Sequence, residues 1–154
     1  MITSTMRTCC VLLTFILLTV PAGFSAEYSS GATAKVLTRT TVTANGQKIV
    51  YPVTDKAEVT AMTVELAPGA ETGWHKHPAP VYAYVVAGNL SVTLEDGKEL
   101  FYKAGDAIIE VVNLIHNGRN KGSDTVKLAV FYLGIEGAPN VIKDDPLRKA
   151  DQKK

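Results

Sequence analysis

The residues best suited to chemistry in this 154-residue chain are its three histidines. His75 and His77 are spaced i, i+2, so in an extended strand their imidazoles project from the same face. His116 stands at the start of another predicted strand. Neutral imidazole is the commonest metal ligand among protein side chains, and three converging rings would hold a metal ion with open coordination positions. The spacing therefore predicts a metal site, provided that the fold brings His116 opposite the pair.

Short strands separated by turns must position these histidines. Alternating and β-branched patterns predict strands at residues 59–66, 74–77, 81–86, 90–94, 98–102, 107–112, 116–120 and 126–133. A further strand at residues 35–43 and its return at 48–51 are predicted around the Asn45-Gly46 turn. No segment has a helical period of useful length. Closely spaced strands of this kind indicate a β-sandwich or β-barrel.

Residues 1–26 have the three-part form of a cleavable signal peptide. Arg7 precedes an apolar run from Cys9 to Val20, which is shorter than the roughly 20 residues that a spanning helix needs. Small residues follow, and cleavage after Ser25 or after Ala26 stays open. The pattern predicts an exported protein, periplasmic or secreted, that has no membrane attachment after cleavage. An uncleaved anchor and a buried core helix are the alternatives for this segment.

Composition narrows the chemistry further. Both cysteines lie in the predicted leader, so the mature protein would have no disulfide and no thiolate ligand or nucleophile. Histidine, carboxylate and water chemistry remain. The formal net charge is +1 and no basic stripe is present, which argues against nucleic acid or an anionic membrane surface as a partner.

The stretch around the first two histidines resembles the first motif of the cupin superfamily. That motif sets a Gly, a His-x-His pair, a Glu and a second Gly at fixed intervals. Gly69, His75, His77 and Gly88 stand at the matching places. The Glu position is occupied by Val81, which is the departure with chemical consequences.

The stretch around the third histidine resembles the second cupin motif. Gly105, His116 and Asn120 match that motif. Val111 replaces its Pro and Asn113 replaces its Gly. One hairpin separates the two motifs here, as it does in the family, and all three histidines of the chain fall on motif positions.

The resemblance implies an all-β fold, a single-domain cupin β-barrel of the double-stranded β-helix or jelly-roll kind. The cupin core would cover residues 59–133, after an entry segment with N-terminal strands at 27–58. A polar C-terminal tail would occupy residues 134–154. From Ile142 onward the charged sequence predicts a mobile tail or a frayed terminal helix.

The resemblance also implies that His75, His77 and His116 hold a divalent metal ion: iron, zinc, nickel, copper or manganese. Val81 cannot coordinate, so three neutral imidazoles would leave the full +2 charge on the ion. Such a site is expected to favour zinc, copper, nickel or iron(II) over manganese, which prefers oxygen ligands.

Four other side chains could supply the missing oxygen: Glu71, Tyr82, Tyr84 and Glu110. Each also has an ordinary interpretation. Glu71 would be a solvated loop charge, Glu110 a polar group at the rim or an interface, and the tyrosines strand packing. Glu110 is in addition the one candidate for a catalytic residue, although the sequence assigns it no definite role.

The leading functional hypothesis is an exported small-molecule metalloenzyme, either an oxygenase or a Lewis-acid isomerase or hydrolase. The alternative is a non-catalytic module that binds a metal, a sugar or another small ligand. A structural barrel with a vestigial site is the third reading. Cupins support many chemistries, so the resemblance does not determine the substrate. Members of the family often form dimers, and the resemblance therefore also allows a homodimer.

Overall fold

The computed structural model describes residues 30–144. The chain divides into two compact units, residues 1–35 and 36–154, and the strands, sheets and sites below all belong to the second. The predicted signal peptide at residues 1–26 and the last part of the predicted tail, residues 145–154, lie outside the described residues.

Strands are the regular secondary structure of the described residues, which confirms the all-β prediction. They are β1 (Ala57–Leu66), β2 (His75–Lys76), β3 (Val81–Ala87), β4 (Asn89–Leu94), β5 (Glu99–Lys103), β6 (Ala107–Ile109), β7 (His116–Arg119), β8 (Val126–Ile135) and β9 (Ile142–Lys143). Between residues 30 and 144 there is no helix long and apolar enough to span a bilayer.

The strands form two antiparallel sheets. One has the order β1-β8-β3-β6 and the other β5-β4-β7-β2-β9. Side chains alternate between the two faces of each strand, so every second residue of β3 and β8 enters the core. The buried set from these two strands is Val81, Ala83, Val85, Val126, Leu128, Val130 and Tyr132. This alternation fixes which side chains of each sheet reach the interior, where the histidines lie.

The predicted strand at residues 35–43 is wrong. In this region a single bridge joins Val42 to Lys48, and Val36 keeps 72% of its surface exposed. The Asn-Gly turn does form, with the Thr43 amide donating to the Gln47 carbonyl at 2.8 Å. Val- and Thr-rich sequence indicates a fit to a pleated, half-buried surface, but among residues 35–43 the one bridge is that of Val42. The turn itself rests against β6, where the Ala44 amide donates to the Ile109 carbonyl at 2.9 Å.

The predicted mobile tail or frayed helix from Ile142 is also wrong for its first residues. Ile142–Lys143 form β9, which pairs with β2 so that His75 faces Lys143 and Lys76 faces Ile142. The outer edge of β2 would otherwise leave backbone donors and acceptors unpaired. A short edge strand with a lysine satisfies that edge and still discourages pairing with other chains.

Candidate metal centre

The pairing of β2 with β7 brings the histidines together. His75 lies directly opposite His116 across this antiparallel pair, and His77 follows His75 on the same face. All three rings are buried, with exposed fractions of 8%, 3% and 2% for His75, His77 and His116. The i, i+2 spacing and one non-local strand pair are therefore enough to build the cluster.

Each imidazole is anchored through its Nδ1 atom. For His75, His77 and His116 in turn, the partners are the backbone carbonyls of Gly73, Asn140 and Leu114, at 2.8, 2.9 and 2.9 Å. A carbonyl oxygen can only accept, so each Nδ1 carries a hydrogen and donates it. In the neutral ring Nε2 is then the unprotonated nitrogen, with its lone pair available to a ligand.

The Nε2 atoms converge on one point. Those of His75 and His77 are 3.2 Å apart, and the ligand atoms of the three histidines all lie within 4.8 Å of one another. Ligands about 2.1 Å from one ion and separated by tetrahedral or right angles would lie roughly 3.0–3.4 Å apart. The buried His116 Nε2 has no partner in hydrogen-bond geometry, although Glu110 Oε2 lies 3.3 Å away, and an ion between these two atoms would bind both. These three histidines could hold a metal ion.

Glu110 is the one oxygen candidate from the sequence that lies at this cluster. Its Oε2 atom is 3.3 Å from Nε2 of His77 and 3.3 Å from Nε2 of His116, and its side chain is 19% exposed. Of the four side chains that the sequence offered in place of the motif Glu, Glu110 is thus the one whose position could supply the oxygen that Val81 cannot. Burial raises the pKa of Glu110, but the two histidines outweigh it and lower the pKa to about 2.

The two histidines of β2 and its extension have different protonation behaviour. Burial is the main reason that the pKa of His75 is lowered to about 4, and the neighbouring imidazoles act in the same direction. Burial also lowers the pKa of His77, but hydrogen bonding to Glu110 and its charge outweigh burial, so the pKa is raised. At neutral pH His75 is therefore a neutral imidazole, whereas the Glu110 carboxylate favours the protonated form of His77.

The remaining oxygen candidates lie away from the histidines. Glu71 accepts a hydrogen bond from Asn117 Nδ2 at 3.2 Å. The hydroxyl of Tyr82 donates to that of Tyr51 at 3.2 Å in an exposed position, and Tyr84 is 39% exposed. These side chains have the ordinary surroundings that were the alternative interpretation.

Sequence reasoning missed two contributors to the site. The ring of Tyr132 lies edge-on to His77, with the centroids 5.5 Å apart, and Asn140 supplies the carbonyl that anchors His77. Alternation along β8 could have identified Tyr132 as an inward residue. No local signal marks Asn140, because its role depends on where the chain passes after β8.

A cavity of about 60 Å³ adjoins the cluster. Its walls combine the three histidines and Glu110 with apolar side chains from both sheets, Val64, Leu90, Val92, Leu128 and Val130. A water molecule takes about 30 Å³ of liquid volume. The space beside the histidines is thus suited to one or two small ligands.

Comparison with known proteins identifies the class. Residues 62–132 match the family described as the cupin domain, and these residues include both histidine-bearing stretches. Residues 62–132 are therefore a cupin domain, and the described strands have the all-β jelly-roll fold of that class. No curated protein matches the chain.

Solved structures agree with this fold at low sequence identity. The DMSP lyase DddQ from Ruegeria pomeroyi DSS-3 is 19% identical, has a TM-score of 0.51, and is matched over 60% of this chain and 45% of its own. The oxalate decarboxylase of Lactobacillus farciminis is also 19% identical with a TM-score of 0.51, over 61% of this chain and 30% of its own. The chain spans less than half the length of these two proteins, and the likeness concerns the fold alone.

Proposed function

We propose that this protein is an exported cupin metalloenzyme that holds one divalent ion at His75, His77 and His116 and acts on a small molecule. The observation that carries the proposal is the shared orientation of the three imidazoles: every Nδ1 is anchored to a backbone carbonyl, and the Nε2 atoms converge. Whether the reaction is oxygenation, isomerisation or hydrolysis is left to experiment.

The backbone carbonyls give the histidines a fixed tautomer before any ion arrives. Such partners orient a ligating imidazole and raise its basicity. A divalent ion bound there would supply Lewis acidity or a site for a redox-active ligand. The histidines are buried and apolar side chains form part of the cavity wall, and the low dielectric of such surroundings strengthens electrostatic interactions.

The alternative is a module that captures the metal ion itself without turnover. The size of the cavity favours this reading, since about 60 Å³ is far below the roughly 300–1,000 Å³ of pockets that enclose drug-sized ligands. A sugar ring would not fit unless the walls moved. The enzyme hypothesis therefore requires a very small substrate, or a larger one that enters only in part.

The enzyme and the metal-binding module both require a divalent ion at the three histidines. Metal analysis of protein purified without an affinity tag tests this common requirement. We expect about one transition-metal ion per chain and its loss in His77→Ala. Glu71→Gln is the control, because Glu71 is half exposed and lies outside the cluster. A metal content that is zero, or that is the same in His77→Ala, would contradict the proposal.

Turnover separates the enzyme from the module. Protein loaded with iron(II) that consumes oxygen in the presence of a phenol, a diketone or a thiol would support the oxygenase. Saturable metal binding without turnover of any candidate, whichever metal is loaded, would support the module.

Export is a separate part of the proposal, and it depends on residues 1–26 alone. Expression of the full chain with fractionation of the cells, followed by mass spectrometry of the mature protein, tests it. The expected amino terminus is Ala26 or Glu27, in an extracytoplasmic fraction. An intact Met1 terminus in the cytoplasm would contradict export and leave the metal site unaffected.

A further inference from the structure

We propose that Glu110 is the carboxylate ligand of the metal centre and acts from the position across the strand pair from Val81, where the first cupin motif has its Glu. The inference rests on the proposed metal site and defines its charge. It also explains how a chain with valine at the motif position keeps an anionic group beside the histidines.

The strand register places the two positions side by side. β3 and β6 pair antiparallel, with Tyr82 opposite Ile109 and Ala83 opposite Ile108. One residue further along, the Glu110 amide donates to the Val81 carbonyl at 3.0 Å. Directly opposed residues project from the same face of the sheet with Cβ atoms about 4.5–5.5 Å apart.

Two residues of this chain together take the place of the single motif Glu. Val81 fills the position in the strand, and Glu110 supplies the carboxylate. Val81 is 1% exposed and packs in the hydrophobic core. Glu110 directs its carboxylate to the histidines, 3.3 Å from the Nε2 atoms of both His77 and His116. These distances match the spacing of about 3.0–3.4 Å expected between ligands of one ion.

A purely supporting role for Glu110 would require a different geometry. A carboxylate that only orients a metal-binding histidine accepts a hydrogen bond from the ring nitrogen that does not face the metal. In all three histidines that nitrogen is Nδ1, and it already donates to a backbone carbonyl. Glu110 instead faces Nε2, the nitrogen that would bind the ion.

A carboxylate ligand changes which ions the site should prefer. It lowers the charge of a divalent centre from +2 to +1 and adds an oxygen donor. Manganese(II) and iron(II) gain more from an anionic oxygen than zinc or copper, which bind well to imidazole alone. The site should therefore accept manganese(II) and iron(II), contrary to the expectation based on Val81.

The test compares binding of manganese(II) and of zinc(II) to metal-free protein by titration calorimetry. Glu110→Gln keeps the size of the side chain and removes its charge. Glu71→Gln is the control for a carboxylate outside the cluster. The double variant Val81→Glu/Glu110→Val returns the carboxylate to the motif position, and Val81→Gln/Glu110→Val is its uncharged counterpart.

We expect Glu110→Gln to weaken manganese(II) binding at least about tenfold, the lower limit seen when even an outer partner of a ligand is lost, and to weaken zinc(II) binding less. Glu71→Gln should bind both ions as wild type does. The double variant with Glu at position 81 should recover manganese(II) binding, and its uncharged counterpart should not. Cobalt(II) absorption spectra give a second readout, which should change in Glu110→Gln.

Unchanged manganese(II) affinity and an unchanged cobalt(II) spectrum in Glu110→Gln would overturn this inference while leaving the histidine site standing. Wild-type protein that binds no divalent ion would overturn both proposals, so the two failures are distinguishable. Circular dichroism checks that each variant is folded, and the single Glu110→Gln variant decides the question if the double variants do not fold.

Discussion

Nδ1 of His77 donates a hydrogen bond of 2.9 Å to the backbone carbonyl of Asn140, 63 residues further along the chain. Asn140 immediately precedes β9, which pairs with the strand that carries His75. The segment after β8, expected from its sequence to be a polar tail, thus orients one of the three histidines. This relationship makes the C-terminal segment a part of the candidate metal centre.

Asn140→Ala should weaken metal binding. The side chain of Asn140 donates to Thr60 Oγ1 at 2.9 Å, which helps to hold the carbonyl that orients His77. Loss of an outer partner of a metal-binding histidine typically reduces affinity about 10- to 100-fold, and we expect the lower end because only the support of the carbonyl is lost. Titration calorimetry measures the change. Thr60→Val should produce a similar loss, and wild-type affinity in both variants would contradict a role for this contact.

Metal binding should stabilise the folded protein. Free ion at 100 times its dissociation constant adds about 2.7 kcal/mol to the free energy of unfolding, which corresponds to a rise of roughly 10 °C in Tm for a domain of this size. Thermal melts with and without a chelator measure this shift. His116→Ala should melt at the same temperature with and without metal, and a metal-dependent shift that persists in this variant would locate the binding elsewhere.

The metal-free protein should lose stability as the pH falls from 6.5 to about 4. The folded-state pKa of His75 is about 4 against an ordinary 6.5, so the unfolded chain binds the proton more readily in this range. The loss amounts to about 3 kcal/mol at most. Glu110, with a pKa of about 2 against 4.5, adds a further loss below pH 4.5.

His77 acts in the opposite sense. Its raised pKa gives stability that is present below pH 6.5 and is lost as the pH rises through the raised value. The two effects together predict that thermal melts in the presence of a chelator give the highest Tm at about pH 6.5. The decline on the acidic side should be reduced in His75→Gln. A decline of the same size in that variant would assign it to other groups.

Gly88→Ala should destabilise the scaffold more than Gly97→Ala. Both glycines have positive φ values, 78° and 85°, which cost a residue with a side chain about 1–2 kcal/mol. At Gly88 an added Cβ would also lie 2.9 Å from backbone atoms of Thr125 and Val126, whereas at Gly97 nothing lies within 4 Å. Overpacking of this kind adds about 1–3 kcal/mol. Denaturant unfolding measures both variants, and equal losses would contradict the packing argument.

The sequence was sufficient to predict the all-β fold and to select the three histidines that the structure brings together. Alternation along the strands shows which face is buried. The i, i+2 spacing places His75 and His77 on the same face of one extended stretch of chain, so this part of the site is local in sequence. The substitution of Asn113 for a motif glycine also has a local explanation. Asn113 adopts a φ of 56°, and asparagine tolerates this left-handed conformation better than most residues.

The carboxylate at the site could not be assigned from the sequence, because its position depends on the register between β3 and β6. Val81 and Glu110 are neighbours only through that non-local pairing. The same limit explains the error at residues 35–43, where β-propensity was present without a partner strand. It also explains β9, which exists because β2 offers an unpaired edge.

The most direct test of the account is a crystal structure of the metal-loaded protein with anomalous scattering recorded at the metal edge. We predict one ion, bound about 2.0–2.3 Å from the Nε2 atoms of His75, His77 and His116 and from a carboxylate oxygen of Glu110. An ion bound away from the histidines, or no ion in protein soaked with saturating metal, would contradict the central claim.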